Sequence, residues 1–126
     1  MEDEKFLDAA ERGDLNEVTS LLANGADVNS CDEHDRSAVL KAAKHGHLQV
    51  VQFLVENGAD INFKDNRGTN ALYWASTKGH LEIVKYLVAH NSEVDVTDDR
   101  GWSAKDQAVS HHYDGIVSEL TAAGAH

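Results

Sequence analysis

Four side chains near the end of the chain have the types that nucleophilic catalysis uses. Ser110, His111, His112 and Asp114 bring a hydroxyl, two imidazoles and a carboxylate into one short segment. A serine activated by a histidine, which an aspartate orients, is the triad of many hydrolases. That chemistry also needs a nucleophile elbow between a strand and a helix and an oxyanion loop, and neither pattern surrounds this segment. We therefore expect no catalytic residues and no enzymatic activity.

Histidines suggest a second kind of chemistry, metal binding. The chain has eight of them, and the pair His45 and His47 could combine with His80 or with the pair at 111 and 112. A protein zinc site also needs cysteine pairs or carboxylates at suitable spacing, and the sequence supplies neither around these histidines. We therefore expect neither a metal ion nor another cofactor.

Composition limits the remaining classes. A chain of 126 residues with 41% hydrophobic and 26% charged residues suits one soluble domain without a membrane span. The acidic amino terminus lacks the apolar segment of a secretory signal, and the single cysteine, Cys31, fits a reducing compartment. A net charge of −11 disfavours nucleic acid as a ligand. We expect an intracellular protein, cytoplasmic or nuclear, that binds neither membranes nor nucleic acid and is a monomer.

The elements that position these side chains follow from an internal repeat with a period of 33 residues. Each unit has a short alanine-centred segment, a glycine turn and an amphipathic run, which predicts a helix, a turn and a second helix. Turn formers with alternating residues predict a hairpin-like connector between units. Ser37, Asn70 and Ser103 precede the first helix of units two to four, where a side-chain oxygen can cap the free backbone donors. We call residues at the same position of successive units a column. The columns that define the register are Ala9, Ala42, Ala75, Ala108; Val18, Val51, Val84, Val117; and Leu21, Leu54, Leu87, Leu120.

These units resemble ankyrin repeats. The segments GTNALYWAS, GHLEIVKYLV, GADVN and GADIN are similar to the family pattern, and the resemblance covers essentially the whole chain. It implies an all-α repeat solenoid of four ankyrin repeats in a single domain, 1–126. The implied units are an amino-terminal capping repeat at 1–31, central repeats at 32–64 and 65–97, and a carboxy-terminal capping repeat at 98–126. Where the family has a proline at the start of the first helix, this chain has Ala38, Ala71 and Ala104.

The repeat also offers a way to separate buried from exposed positions. Trp74 shares its column with Asp8, Lys41 and Gln107, and an unpaired charge is too costly to bury, so we expect Trp74 to be exposed. The same argument places Trp102 on the surface, since Arg36 and Thr69 precede it in its column.

The neighbouring column holds Leu7, Leu40, Tyr73 and Asp106. It is apolar in three units of four, so we expect Tyr73 to pack in the core.

Variable columns of this kind line the concave, partner-binding side of the proteins that the chain resembles. They contain eight basic and four acidic residues, a net charge of +4. We therefore expect a non-catalytic adaptor or regulatory subunit that binds an acidic protein segment with apolar anchors. The residues predicted to bind the partner are Arg36, Lys41, His45, Arg67, Trp74, Lys78, Arg100 and Trp102.

Two alternatives remain open at this stage. The first is a reader of basic tails such as histones, which would use Asp98, Asp99 and the amino-terminal acids together with a pocket around Trp102. The second is a scaffold domain that belongs to a longer protein.

Two asparagines, Asn29 and Asn62, lie in LLANGADVN and FLVENGADIN, which resemble the family's pattern for asparaginyl hydroxylation. The other interpretation is that both side chains form hydrogen bonds within the connectors, as asparagine commonly does in turns.

Overall fold

The computed structural model describes residues 2–126, and Met1, the first residue of the predicted repeat 1–31, lies outside them. Within residues 2–126 the chain forms eight α-helices: α1 (Glu2–Arg12), α2 (Leu15–Ala23), α3 (Ala38–Lys44), α4 (Leu48–Glu56), α5 (Ala71–Lys78), α6 (Leu81–Ala89), α7 (Ala104–Ser110) and α8 (Asp114–Ala122). None of these helices has the length and apolar character that crossing a bilayer requires.

The helices form two rows. Each odd-numbered helix packs against the even-numbered helix that follows it and against the odd-numbered helix of the next unit, while the even-numbered helices form the second row. The all-α repeat solenoid is therefore confirmed. The boundaries of the individual repeats stay a prediction.

Small side chains set the spacing between the two rows. The alanine column at positions 9, 42, 75 and 108 is fully buried, and so are Val18, Val51 and Val84 of the following helices. Alanine lets neighbouring helices approach closely, and the larger valine and leucine side chains fill the space that remains. The repeated columns therefore form one continuous core.

Helix starts follow the predicted capping chemistry. The side-chain oxygens of Ser37, Asn70 and Ser103 accept hydrogen bonds from the backbone N–H groups three residues further on, at 3.4, 3.0 and 3.1 Å. Each bond satisfies a donor that the first helical turn leaves free. These caps hold α3, α5 and α7 at the same point in each unit.

The glycine turn between the paired helices packs against the next unit. Gly46 has a φ of 82°, and a Cβ there would lie 2.8 Å from Cε1 of His80, whose Nε2 lies 3.1 Å from the Lys44 carbonyl oxygen. His47 contacts Gly13 and the Glu11 carbonyl in the same way. The two histidines are thus structural, because each fills the space of a missing side chain.

Connectors are joined by a ladder of side-chain to backbone hydrogen bonds. Asn29 Oδ1 accepts from the Asp60 N–H and Asn62 Oδ1 from the Glu93 N–H, both at 2.8 Å, and Asp95 Oδ1 accepts from the N–H of residue 126. Both asparagine side chains do form hydrogen bonds with connectors, but the expectation of a bond within their own connector is wrong, because the partner lies in the next unit. Their hydroxylation stays a prediction.

Candidate functional site

Three aspartates organise the hairpin tips that edge the concave side. Asp65 is buried, and its Oδ1 accepts from the N–H groups of Arg67 and Thr69, both at 3.0 Å, and from the Thr69 hydroxyl at 2.8 Å. Asp32 and Asp98 accept two backbone N–H groups of their own hairpins in the same pattern. Each tip is therefore fixed by one carboxylate oxygen, which leaves the second oxygen for another partner.

Hydrogen bonds decide the ionisation of the aspartates. Burial alone would raise the pKa of Asp65, but bonds from the Thr69 N–H, the Thr69 hydroxyl and the Trp74 indole lower it below its usual value. Burial likewise opposes ionisation at Asp98, where the Tyr73 hydroxyl and two backbone N–H groups lower the pKa. Both carboxylates are thus stabilised as anions beneath the concave side.

Trp74 lies in the core, so the prediction that it is exposed is wrong. The side chain is 7% exposed, and its indole N–H donates to Thr69 Oγ1 at 2.9 Å and to Asp65 Oδ2 at 3.2 Å. The column argument failed because Lys41, at the same position one unit earlier, also donates to the hairpin aspartate, with Nζ 2.8 Å from Asp32 Oδ2. Lysine and tryptophan are both long apolar stems that end in a donor, so they can alternate at a largely covered position.

Thr69 corrects the column argument a second time. Thr69 shares a column with Arg36 and Trp102, and that column was expected on the surface. Thr69 is nevertheless fully buried. Its hydroxyl donates to Asp65 and accepts from the Trp74 indole. A small hydroxyl residue therefore makes room for the indole that arrives from α5.

Tyr73 packs in the core as predicted. It is 2% exposed, and its hydroxyl donates to Asp98 Oδ2 at 2.6 Å and accepts from the Gln107 amide at 2.9 Å. Burial and the neighbouring Asp98 carboxylate raise the pKa of Tyr73 to about 12. The tyrosine thus links the third unit to the fourth.

Trp102 is exposed, as predicted, at 44% of its surface. It borders a groove of about 370 Å³ between α5, α7 and the hairpin tip that Asp98 holds. Arg67, Trp74, Arg100 and Gln107 also line this groove. The groove therefore presents one accessible indole next to two guanidinium groups.

Two of the other predicted binding residues are engaged internally. Lys41 pairs with Asp32 and lies 3.6 Å from Glu11 Oε1, and its side chain is only 16% exposed. His45 is exposed beside the same Glu11, with Nε2 at 3.6 Å, and partial burial lowers its pKa. Lys41 is therefore better described as a residue that holds the hairpin than as one that meets a partner.

The four other predicted cations are Arg36, Arg67, Lys78 and Arg100, of which Arg67 and Arg100 line the groove. Arg36 Nε lies 3.5 Å from Asp65 Oδ2, and Arg67 Nη2 lies 3.5 Å from Asp99 Oδ1 and 3.9 Å from Asp98 Oδ2. Lys78 and Arg100 are exposed and make no ion pair with the described residues. Lys78 and Arg100 are thus the predicted cations whose charge is most available to a ligand.

The charge predicted for the concave side needs correction. The net of +4 omitted Asp32, Asp65 and Asp98, each of which lies within ion-pair distance of a cation of that side. Including these three acids lowers the net charge to +1. A signal was present in the sequence, since the three aspartates recur every 33 residues directly before the hairpin tips.

One cation that was absent from the predicted binding set is placed close to Trp74. Lys44 Nζ lies 4.6 Å from the centroid of the Trp74 ring, and the Cζ atoms of Arg36 and Arg67 lie 5.2 and 5.8 Å from it. All three distances are in the range of cation–π contacts. We call Arg36, Lys44 and Arg67 the indole cations.

The histidines and the serine of the fourth unit do not form a recognisable catalytic arrangement. His111 stacks on Tyr113 with ring centroids 5.4 Å apart, and His112 occupies the turn that holds glycine in the other units, with a φ of 60°. Among the described residues, no three His, Cys, Asp or Glu side chains are grouped so that they could hold a metal ion.

Comparison with known proteins agrees with the architecture. A family model described as ankyrin repeats in three copies matches residues 6–98 and 57–126, and a search of curated proteins found no match. Ankyrin repeats are generally protein–protein interaction modules and are typically non-catalytic. The family match, the two rows of helices and the repeated hairpin tips together show that the chain belongs to the ankyrin repeat family.

Proposed function

We propose that the chain binds a segment of a protein partner in the groove beside Trp102 and thereby acts as an adaptor or a regulatory subunit. The observation that carries this proposal is the exposure of Trp102, at 44%, on a groove that Arg67 and Arg100 also line. Tryptophan and arginine are the residue types most often found as energetic hot spots of interfaces. An apolar side chain of the partner would cover the indole and be held between the guanidinium groups.

The charges favour an acidic partner segment. The concave side carries a net charge of +1. Since the whole chain has a net charge of −11, the remaining residues carry −12. A basic segment would be attracted to most of the surface, whereas an acidic segment would be repelled everywhere except on this side. Such a contrast mainly sets orientation and association rate, because exposed charges add little affinity.

The alternative function, recognition of basic tails, has less support. It requires Asp98 and Asp99 to meet cationic side chains beside Trp102. Asp98 is buried, and its oxygens already accept from the N–H groups of Arg100 and Trp102 and from the Tyr73 hydroxyl. The acids that remain for the tail are Asp99, which already lies 3.5 Å from Arg67 Nη2, and the amino-terminal acids, so we favour the acidic segment.

The remaining parts of the proposal rest on the sequence. A single cysteine, which cannot form an intramolecular disulfide, supports an intracellular location, cytoplasmic or nuclear. The strongly negative net charge argues against nucleic acid as a partner. We propose a monomer that has one protein partner at a time on its concave side.

A pair of matched variants tests the groove. Crosslinking and mass spectrometry in the native cell would identify the partner, and calorimetry would then measure its affinity for the wild type, Trp102→Ala and Val109→Ala. Val109, 53% exposed, is the other large exposed apolar side chain of the described residues and does not line the groove. We expect Trp102→Ala to weaken binding by roughly tenfold or more, as an interface tryptophan commonly does, and Val109→Ala to leave it unchanged.

Equal affinities for Trp102→Ala and the wild type, with unchanged melting curves, would refute the groove as the binding site. Adding Trp74→Ala to Trp102→Ala would not sharpen this test, because the buried Trp74 indole supports the fold.

A further inference from the structure

Three positive charges converge on one buried indole, although like charges repel each other. Lys44, Arg36 and Arg67 approach the Trp74 ring to 4.6, 5.2 and 5.8 Å, and they come from two different units. The exposed Lys78 lies near enough to Lys44 to influence its ionisation. Covering the ring would require one cation, so the ring alone does not explain why three are gathered there.

The surrounding carboxylates face these cations at distances longer than a good charge-assisted hydrogen bond. Arg36 reaches Asp65, and Arg67 reaches Asp98 and Asp99, at 3.5 to 3.9 Å. Good charge-assisted hydrogen bonds are about 2.7 to 2.9 Å long, so both guanidinium groups have donors to spare. Lys44 makes no ion pair with any part of the chain that the structure describes.

The indole cations are also accessible. The side chains of Arg36 and Arg67 are 22% and 35% exposed, and Lys44 is partly exposed. Arg67 and the edge of Trp74 line the groove that Trp102 borders. A ligand in the groove at Trp102 therefore meets Arg67 directly, and Arg36 and Lys44 lie against the same Trp74 ring, 5.2 and 4.6 Å from its centroid.

We propose that the indole cations form a subsite for an anionic side chain of the partner segment, a carboxylate or a phosphoryl group, next to the apolar anchor at Trp102. The inference rests on the proposed function and adds the chemistry of a second contact. The Trp74 ring holds the three cations in place before the ligand arrives, so the anion does not have to order them. Its oxygens take the donors that Asp65, Asp98 and Asp99 leave unsatisfied.

The ionisation of Lys44 is consistent with this subsite. Burial lowers the pKa of Lys44, repulsion by Arg36 and Lys78 lowers it further, and attraction by Glu11 offsets only part of this, so the pKa remains lowered. A bound anion removes part of that repulsion. Lys44 therefore stabilises a complex more than it stabilises the free protein.

The test uses Trp74 as its own reporter. In a Trp102→Phe background, Trp74 is the single tryptophan, and its emission is followed while acetylated, amidated hexaglutamate, inorganic phosphate or hexalysine is added. We expect a saturable change with hexaglutamate or with phosphate and none with hexalysine. Saturation by phosphate alone would identify the phosphoryl group as the anion, and saturation by hexaglutamate would identify the carboxylate.

Two lysine variants separate a subsite from general attraction. Lys44→Met should weaken binding of the effective probe about tenfold, and Lys44→Arg, which keeps the charge, should restore it to within about twofold. Lys85→Met is the matched control, because Lys85 is exposed on the outer helix α6 and its loss changes the net charge by the same amount. We expect it to weaken binding by less than about twofold.

Equal effects of Lys44→Met and Lys85→Met would overturn the subsite, and so would the absence of saturable binding of either anion. These outcomes are independent of the groove, which the Trp102→Ala measurement tests with the native partner. Melting curves of the lysine variants exclude unfolding as the cause of any loss.

Discussion

The hairpin tips of the third and fourth units each combine an aspartate with a nearby tryptophan, but the two tryptophans occupy different positions of the repeat. In the third unit, Asp65 accepts the Trp74 indole N–H, and the tryptophan is buried. In the fourth, the second oxygen of Asp98 accepts from Tyr73 of the preceding unit, and Trp102 remains at the surface. The aspartate fixes the tip in both units, and the partner of its second oxygen decides which aromatic ring is covered. The buried tryptophan has an acceptor on its hairpin aspartate, whereas the second oxygen of Asp98 is already occupied by Tyr73.

The largest effect that would test this comparison is the loss of the buried ring. Trp74→Ala should lower the free energy of unfolding by about 3 to 5 kcal/mol, because it leaves a cavity and removes the donor to Asp65. Trp102→Ala should change it by less than about 1 kcal/mol. Urea unfolding followed by far-ultraviolet circular dichroism measures both values. Similar losses for the two variants would show that the two rings are not distinguished by burial.

A second effect should separate the two aspartates. Asp65→Asn places an amide N–H₂ near the Trp74 indole, which can only donate, whereas Asp98→Asn faces the Tyr73 hydroxyl, which can rotate and accept. We expect losses of about 2 kcal/mol for Asp65→Asn and about 1 kcal/mol for Asp98→Asn. Chemical unfolding at neutral pH measures the difference, and the reverse order would contradict the hydrogen-bond assignment.

Acid should destabilise the two hairpin tips that Asp65 and Asp98 fix. The folded protein holds the pKa of Asp65 and Asp98 below the ordinary value of an aspartate, so in this range the unfolded chain binds more protons and stability rises with pH. The contribution of the two carboxylates to stability is fully present above about pH 4 and is lost as the pH falls through their lowered pKa values. Unfolding measured from pH 5 to pH 2 should therefore show a decline that is shallower in the Asp65→Asn, Asp98→Asn double variant. If the stability of the wild type and of the double variant fell equally steeply with pH, the lowered pKa values would be contradicted.

The turns of the two units differ as well. Gly79 and His112 occupy the same position in the third and fourth units, with φ values of 82° and 60°. A histidine is strained in this left-handed region, and glycine is not. His112→Gly should therefore stabilise the protein by about 0.5 to 1 kcal/mol, while Gly79→Ala should destabilise it, because its Cβ would lie 2.9 Å from Tyr113. Thermal unfolding of both variants gives the signs, and a lower melting temperature for His112→Gly would be the contrary result.

The smallest expected effect concerns the first helical residue of the third and fourth units, which is alanine in both. Ala71 and Ala104 are the first residues of α5 and α7 and follow capping residues with extended backbones. Proline suits this position, so Ala71→Pro and Ala104→Pro should each stabilise by about 0.4 to 1 kcal/mol through the unfolded chain. Calorimetric melting temperatures measure the gain. A lower melting temperature in one of the two variants would show that the helix starts are not equivalent.

Most of the fold could be predicted because a repeated position usually has a repeated environment. The alanine and valine columns identified the core, and Ser37, Asn70 and Ser103 identified the helix starts. Burial in these columns depends on backbone geometry, which is the same in each unit. The columns therefore needed no knowledge of the neighbouring side chains.

The candidate site was less predictable because its environment comes from particular neighbours. Trp74 is buried since Thr69 is small and Asp65 offers an acceptor, and neither fact is visible in the column of Trp74 itself. The charge of the concave side was overestimated for the same reason, because each cation was counted without the aspartate beside it. Pairwise contacts of this kind require the coordinates.

The ladder between connectors has a consequence for how such a chain can grow. Asn29 and Asn62 bind a backbone N–H of the following unit, a group that every residue except proline provides. A duplicated segment of one period would thus bring its own acceptor and find a donor already in place, whatever its side chains. Gene duplication could then lengthen the stack in one step, and selection could later alter the concave side without having to repair the joint between old and new copies.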